Sequence, residues 1–372
     1  MAEASRPRAE TAEGPLHGVR VVEIGQDIAV PYAGRLLRLL GAEVHKVEPP
    51  GGDRLRRHAP NGTAAGAGAL FRYLNAGKSS LTVDPSGPDG HALIAALCAD
   101  VDLVLVDEGL GAVAGLGADV ADRAGAVVRL VDFAADGPYG QWQASDLVLQ
   151  AAAGWVSPRG RADGDPVPVG GRLGEYAAGT YIAVAGLTGW RSQVDGSPVR
   201  VLVDRMTAVF NTVAFDMLRR ETLVELGYTQ TRYTAYIPGP MACADGMVAV
   251  NCLTGQHWQD LCTLLGVPEY ADKYVEMRYD RGDMAAFYAA VRPWFAEMTV
   301  AETVELCQAF RVPAAPITTG ATAPELPPFR ERGFFVAAPD GGLHPGPPFR
   351  LRDVPARTLG DAPMLSQGHS HG

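Results

Sequence analysis

The sequence predicts an α/β fold: a large domain on a parallel sheet, followed by a smaller α+β domain. Three observations carry that prediction. Short apolar runs alternate with helix-length segments up to about residue 200, the pattern of successive β-α-β units. After residue 222 the texture changes to a hairpin-like pair and amphipathic helices. The chain, at 372 residues and 47% hydrophobic, is long enough to bury a substantial core.

In chain order, GVRVVEIG (18–25) reads as a buried strand ending in glycine. PYAGRLLRLLGAEV continues as a helix, with Pro31 in its first turn and Gly41 at its end, the positions those residues favour. AEVHKVEPP (42–50) is the second strand and closes a β-α-β unit. SSLTVD (79–84), VDLVLVD (101–107) and AVVRLVDF (126–133) add strands, and HALIAALCAD (91–100) a helix. This is a Rossmann-like layer. VRVLVD (199–204) is its last strand and runs into the helix RMTAVFNTVAFDMLRRE.

Beyond it, RYTAYIPG and GMVAVNC read as antiparallel strands around the turn CADG (243–246). QHWQDLCTLLG, DMAAFYAAVRPWFAE and VAETVELCQAF read as amphipathic helices. From 312 the Pro-rich stretch VPAAPITT and the residues after it read as loop. The expected organisation is a disordered tail over 1–15, a large domain over 16–222, a small domain over 223–311, and a segment over 312–372 that returns to the large domain.

Composition excludes several classes. A net charge of −10 argues against nucleic acid as a partner. No apolar run reaches the length of a membrane span. Cys98, Cys243, Cys252, Cys262 and Cys307 are scattered, odd in number and without a CxxC pair, so a reduced, cytoplasmic protein is expected. The polar N-terminal stretch MAEASRPRAETAEG lacks the apolar core of a signal peptide. The histidines of SQGHSHG read as a solvated tail, and no metal is expected.

Four places carry candidate chemistry. EIGQDIAVPYAG (23–34) lacks GxGxxG, so it reads as a strand-to-helix turn. A ligand can still sit there, at the strand's C-terminal end, against Gln26, Ile28 and Ala29. HKVEPPGGDRLRRHAP (45–60) gathers Lys46, Arg54, Arg56 and Arg57 around a Gly-rich turn; it is either a solvated face or an anion contact, most naturally with phosphates. Lys78 precedes a strand and alone carries no reading. Glu175 follows Gly174 at a helix start. It is either a favourable partner of the helix dipole or a reacting carboxylate. Gly179 and Gly186 in the same helix each cost roughly 0.5–1 kcal/mol relative to alanine, which is tolerated where another backbone or a ligand comes close.

HGVRVVEIGQDIAVPYAGRLLRLLGAEVHKVEPPGGD, FRYLNAGKSSLTVD, DGPYGQWQASDLVLQAAAG, PVPVGGRLGEYAAGTYIAVAGL, PMACADGMVAVNCLTGQHWQDLCTLLG and RVPAAPITT occur in this order. In that order, from about residue 15 to 365, the chain resembles the family III CoA transferases, a family that includes formyl-CoA transferase, carnitine-type CoA transferases and alpha-methylacyl-CoA racemase. The resemblance implies a homodimer of interlocked, ring-like chains. It also implies a coenzyme A thioester as substrate beside a carboxylic acid, with Lys46 and Arg54 near the CoA phosphates. In the transferases an Asp opens the helix that Glu175 opens here. It forms a mixed anhydride with the acyl group and then a thioester with CoA, which is nucleophilic catalysis. Small residues around Glu175 would let backbone N–H groups hold the oxyanion.

The chain departs from the family's pattern in several places. Glu175 replaces that Asp, EGLGA (108–112) stands where the family has Asn-Phe-Arg-Pro-Gly, and Val30 occupies the middle of its Ala-Gly-Pro turn. Ser145-Asp146 stands where the racemase branch has a His before its Asp, so two-base racemisation lacks a partner. Three readings remain open: a CoA transferase with Glu175 as nucleophile, a relative using Glu175 as a general base on a thioester, and a non-catalytic partner subunit.

Overall fold

The computed structural model describes residues 14–58, 68–84, 88–113, 124–157, 159–160, 164–193, 196–212, 221, 224–225, 236–280, 284–338, 341–352 and 359–365. Residues 1–13 of the tail expected over 1–15, the helix continuation over 213–220, the strand start over 232–235 and the final histidines lie outside the described residues. Two units are distinguished. One comprises residues 1–155, 168–214 and 331–372, the other 156–167 and 215–330.

The large unit is organised by six strands: β1 (Arg20–Ile24), β2 (Glu43–Glu48), β3 (Ser79–Thr82), β4 (Leu103–Asp107), β5 (Ala126–Val131) and β6 (Val199–Asp204). Every pairing is parallel and the order is β3-β2-β1-β4-β5-β6. The apolar runs have a direct cause: both faces of the sheet are covered. Val21, Leu103, Leu105 and Val128 pack in one core with helices α1 (Ala29–Leu39) and α5 (Leu173–Arg191). Their neighbours Val22, Val104, Val106 and Val127 point the other way, into a second core with α3 (Pro88–Ala99). Helices α2 (Ala69–Asn75), α4 (Asp146–Ala152) and α6 (Arg205–Thr212) complete the described helices of the first two segments.

The glycines of α5 let it approach its neighbours closely. A Cβ on Gly179 would lie 2.6 Å from the carbonyl oxygen of Ala29, and one on Gly186 would lie 3.0 Å from Leu103. Helix α1 and strand β4 thus account for both residues without an oxyanion site. Gly179→Ala is expected to destabilise the fold by about 1–3 kcal/mol through overpacking, outweighing the roughly 0.5–1 kcal/mol that alanine gains in a helix. A lowered midpoint in urea with an unchanged slope is the expected result.

The second unit holds an antiparallel sheet of β7 (Pro238–Cys243), β8 (Gly246–Asn251) and β9 (Ala314–Pro316). Trp258, Phe287 and Phe295 pack with Val248 and Val250 in one core, on helices α7 (Gly255–Leu265), α8 (Met284–Glu297) and α9 (Val300–Ala309). Strand β9 corrects the expectation of a loop at VPAAPITT. Val248 pairs with Pro316 and Val250 with Ala314. Pro313 just before the strand and Pro316 at its end disguise it, and they are tolerated because it is an edge. Residues 312–330 therefore group with the second unit, and the chain rejoins the first at Glu331. There β10 (Phe335–Ala337) and β11 (Leu343–Pro345) form a hairpin.

Candidate active site

Three neighbouring strands deliver charged residues to one edge of the sheet. Asp107 is the last residue of β4, Asp132 follows β5, and Arg205 follows β6. In-register pairing of Asp107 with Leu130 and of Val131 with Asp204 keeps these ends level. This is the C-terminal edge, where ligands of open α/β sheets bind. Glu175 reaches the same place from the first turn of α5.

One guanidinium joins the group. The Arg205 Nε donates to Glu175 Oε1 at 2.9 Å, and Nη1 donates to Asp107 Oδ1 at 3.1 Å and Asp132 Oδ1 at 2.8 Å. The Arg205 Nη2 donates to Asp107 Oδ2, completing a two-pronged pair. The Gly109 N–H also donates to Asp107, and the Leu110 N–H to Asp132. The Glu175 and Arg205 side chains are each 1% exposed. Glu175 Oε2 is buried and has no hydrogen-bond partner among the described residues. Burial pushes the Glu175 carboxyl above its usual range; Arg205 opposes that push and Asp107 adds to it. Burial alone would lower the Arg205 pKa, but Asp107 and Glu175 more than reverse it.

The start of α5 is held by a second ion pair. Arg172 caps the helix in the left-handed region at φ 55°. Its guanidinium forks onto Asp27 at 2.5 and 2.8 Å, and Asp27 is itself left-handed at φ 72°. Strained residues of this kind are kept where the surrounding structure fixes them. Here the pair ties the beginning of α1 to the beginning of α5, and Tyr32 packs edge-on against Tyr176 just beyond, with ring centroids 5.0 Å apart.

The residues expected at CoA from sequence divide sharply. Lys46 is fully buried, with Nζ 2.9 Å from Asp53 and 2.7 Å from the Gly25 carbonyl oxygen. Burial alone would lower its pKa, but Asp53 and Glu23 raise it. It is a structural cation rather than the phosphate contact expected. Ile28 and Ala29 are core residues, 1% and 0% exposed, and offer no side-chain surface to a ligand. Gln26 lies at the switch point between β1 and β4. Its backbone N–H donates to Gly111 and its side-chain Nε2 to Ala112. Arg54 keeps a half-exposed side chain at 51%, donates to the Leu110 carbonyl and stands 3.7 Å from Asp27. Only Arg54 of the two expected cations faces outward.

Sequence reasoning missed Arg205, Asp107 and Asp132. A signal for them exists: β4, β5 and β6 all run out through Val-Asp, at 106–107, 131–132 and 203–204, and an arginine follows the last. Ionisable residues at the C-terminal ends of three adjacent parallel strands converge on one edge.

Sheet order and the place of this cluster define the class: a Rossmann-like α/β protein with its polar site on the ligand-binding edge. The sequence model for CoA-transferase family III matches residues 16–369, and the chain belongs to that family. It is 27% identical to the succinate–glutarate CoA-transferase of Agrobacterium fabrum, over 95% of this chain and 93% of that protein. It is 28% identical to a probable fatty acyl-CoA transferase of Mycobacterium tuberculosis, over 85% and 86% of the two chains. The crystal structure of a CaiB/BaiF family protein from Brucella suis has the same fold. It superposes with a TM-score of 0.79 at 24% identity, over 95% of this chain and 97% of that one. The protein is therefore an enzyme of the CoA-transferase kind. Among the described residues no helix is long and apolar enough to cross a membrane, and no group of three or more His, Cys, Asp or Glu could hold a metal ion.

Proposed function

We propose that this enzyme moves CoA between an acyl-CoA and a carboxylic acid through a covalent intermediate on Glu175, working as a homodimer of interlocked chains. The observation that carries the reading is the free Glu175 Oε2: a carboxylate oxygen in the first turn of a helix, buried and without a partner among the described residues. Oε2 attacks the thioester carbonyl carbon, the C–S bond breaks, and CoA leaves as a thiolate with the electron pair. The product is a mixed anhydride. The thiolate then attacks the Glu175 carbonyl carbon, releasing the donor acid as its carboxylate and leaving a glutamyl-CoA thioester. The acceptor carboxylate attacks that thioester and receives CoA through a second anhydride. Each difficult exchange is thereby split into easier ones.

Burial suits this chemistry, because an anhydride must be kept from water. The helix N-terminus and Arg205 favour the ionised carboxylate and oppose the upward push of burial. The extra methylene of a glutamate moves its oxygens by about 1.5 Å relative to an aspartate, and Arg205 fixes where they come to rest. Arg54, the half-exposed cation at the switch point, is the residue we place at the CoA phosphates, with Gln26 beside it.

The test is to incubate the enzyme with an acyl-CoA, trap with hydroxylamine and map peptides by mass spectrometry. A hydroxamate on Glu175 is expected, and turnover without modification there rejects the reading. The upward push on the Glu175 pKa also favours a general base acting on a thioester. Deuterium uptake into the acyl group without CoA exchange is the signature of that second reading.

A further inference from the structure

We infer that Arg205 is the positioning residue of this site: seated by Asp107 and Asp132, it fixes the Glu175 carboxylate in one orientation and leaves Oε2 as the reacting oxygen. The inference rests on the reading of Glu175 as nucleophile and adds what makes that nucleophile specific in direction.

The geometry has three parts. First, the seat is rigid. Asp107 takes Arg205 with both oxygens and Asp132 takes it with one, and both acids are tied to the Gly109 and Leu110 N–H groups. A planar guanidinium gripped at its Nη end presents its Nε–H in a fixed direction. That Nε donates to Glu175 Oε1 at 2.9 Å. Second, the contact is selective between the two oxygens. With Oε1 held, Oε2 is the oxygen left without a hydrogen-bond partner among the described residues. Third, the charges are unequal. Three carboxylates share one guanidinium, so Asp107 and Asp132 alone already exceed its single charge. Glu175 is held in place but only partly compensated: Arg205 favours its ionised form, while burial and Asp107 oppose it.

The pairing also accounts for glutamate at this position. Shortening the side chain by one methylene withdraws its oxygens by about 1.5 Å, which breaks a contact of 2.9 Å. Arg205 and Glu175 are matched in length.

Arg205→Lys and Asp107→Asn test this in the full-length enzyme. The first keeps a cation but loses the fork; the second keeps the shape but loosens the seat. In each, kcat is expected to fall roughly a hundredfold, the scale of a misplacement of about 1 Å, while the KM for acyl-CoA stays within about threefold, as expected for a group that contributes no uniform binding. The charged groups facing Glu175 are Arg205, Asp107 and Arg172, with Asp146 against the neighbouring Gly174. Of these, Arg205 opposes protonation most directly, so in Arg205→Lys the acid limb of the kcat profile should move to higher pH. A purely structural role would lower the melting temperature and leave that limb in place. If Arg205→Lys does not fold, Asp107→Asn carries the test.

Glu175 observed by ¹³C NMR in enzyme labelled at glutamate gives a readout apart from turnover. Its titration should shift upward in Arg205→Lys. Absence of a wild-type hydroxamate on Glu175 rejects the nucleophile reading, whatever the variants do. Adduct formation on Glu175 at the wild-type rate in both folded variants, with an unmoved ¹³C titration, overturns the role of Arg205 and leaves the nucleophile standing.

Discussion

Glu175→Gln is expected to lower kcat by at least roughly ten-thousandfold, in line with the loss of a group that forms the covalent intermediate. The amide is nearly the same shape, and its carbonyl oxygen can still accept from the Arg205 Nε. What it lacks is the charge, and with it the ability to attack a thioester. Stability should move the other way. Three carboxylates around one guanidinium, two of them fully buried, leave an excess of negative charge, and burial disfavours the ionised Glu175. A neutral residue relieves that excess, so the melting temperature should hold or rise. Steady-state kinetics together with a thermal melt check both halves. A variant that keeps a tenth of the activity would falsify the covalent role.

Lys78→Met is expected to cost about 3–5 kcal/mol of stability, the penalty for leaving a buried partner charge unpaired. The Lys78 Nζ donates to both Glu23 oxygens at 2.9 and 2.7 Å, to the Pro31 carbonyl at 2.8 Å and to Asn75 Oδ1 at 3.0 Å. Burial pushes its pKa down to about 8, which leaves it protonated at neutral pH. Without it, Glu23 keeps only the Lys46 ammonium at 3.5 Å as a cation partner among the described residues. Helix α1 packs tightly on this group: a Cβ on Gly34 would lie 1.9 Å from Glu23 Oε2. Adding Glu23→Gln should recover much of the loss. Urea unfolding of the two single variants and the double variant closes the cycle, and equal, additive losses would show that the pair is not coupled.

The same residues mark how far the sequence could be read. The strands of the large unit are legible because a parallel sheet covered on both faces favours apolar runs such as LVLVD of β4, and β1, β2, β5 and β6 keep enough apolar residues between their charged ones to show as strands. The position of Glu175 at a helix start is also visible. The role of Lys46 is not. Beside a Gly-rich turn and three arginines it looks like an anion contact. Its true partners are Glu23, its in-register neighbour on β1, and Asp53, which the turn carries back over it. Pairing across strands decides that outcome, and local sequence does not display it. Arg205 escapes for a related reason, since its three acids are 98, 73 and 30 residues away along the chain. Gly179 and Gly186 are places of close approach, as their cost in a helix implies, but what approaches is helix α1 and strand β4.

The large unit is assembled from three separated stretches of polypeptide, and its last stretch is fastened to its first. Arg35 donates to the Pro345 carbonyl, the Gly77 N–H to Asp361, and Arg56 to Pro363. The partners of the two arginine bonds leave the ribosome 310 and 307 residues apart. The nascent N-terminal half therefore emerges with its closing strap still unwritten, and the second unit is fully translated before the first can be sealed.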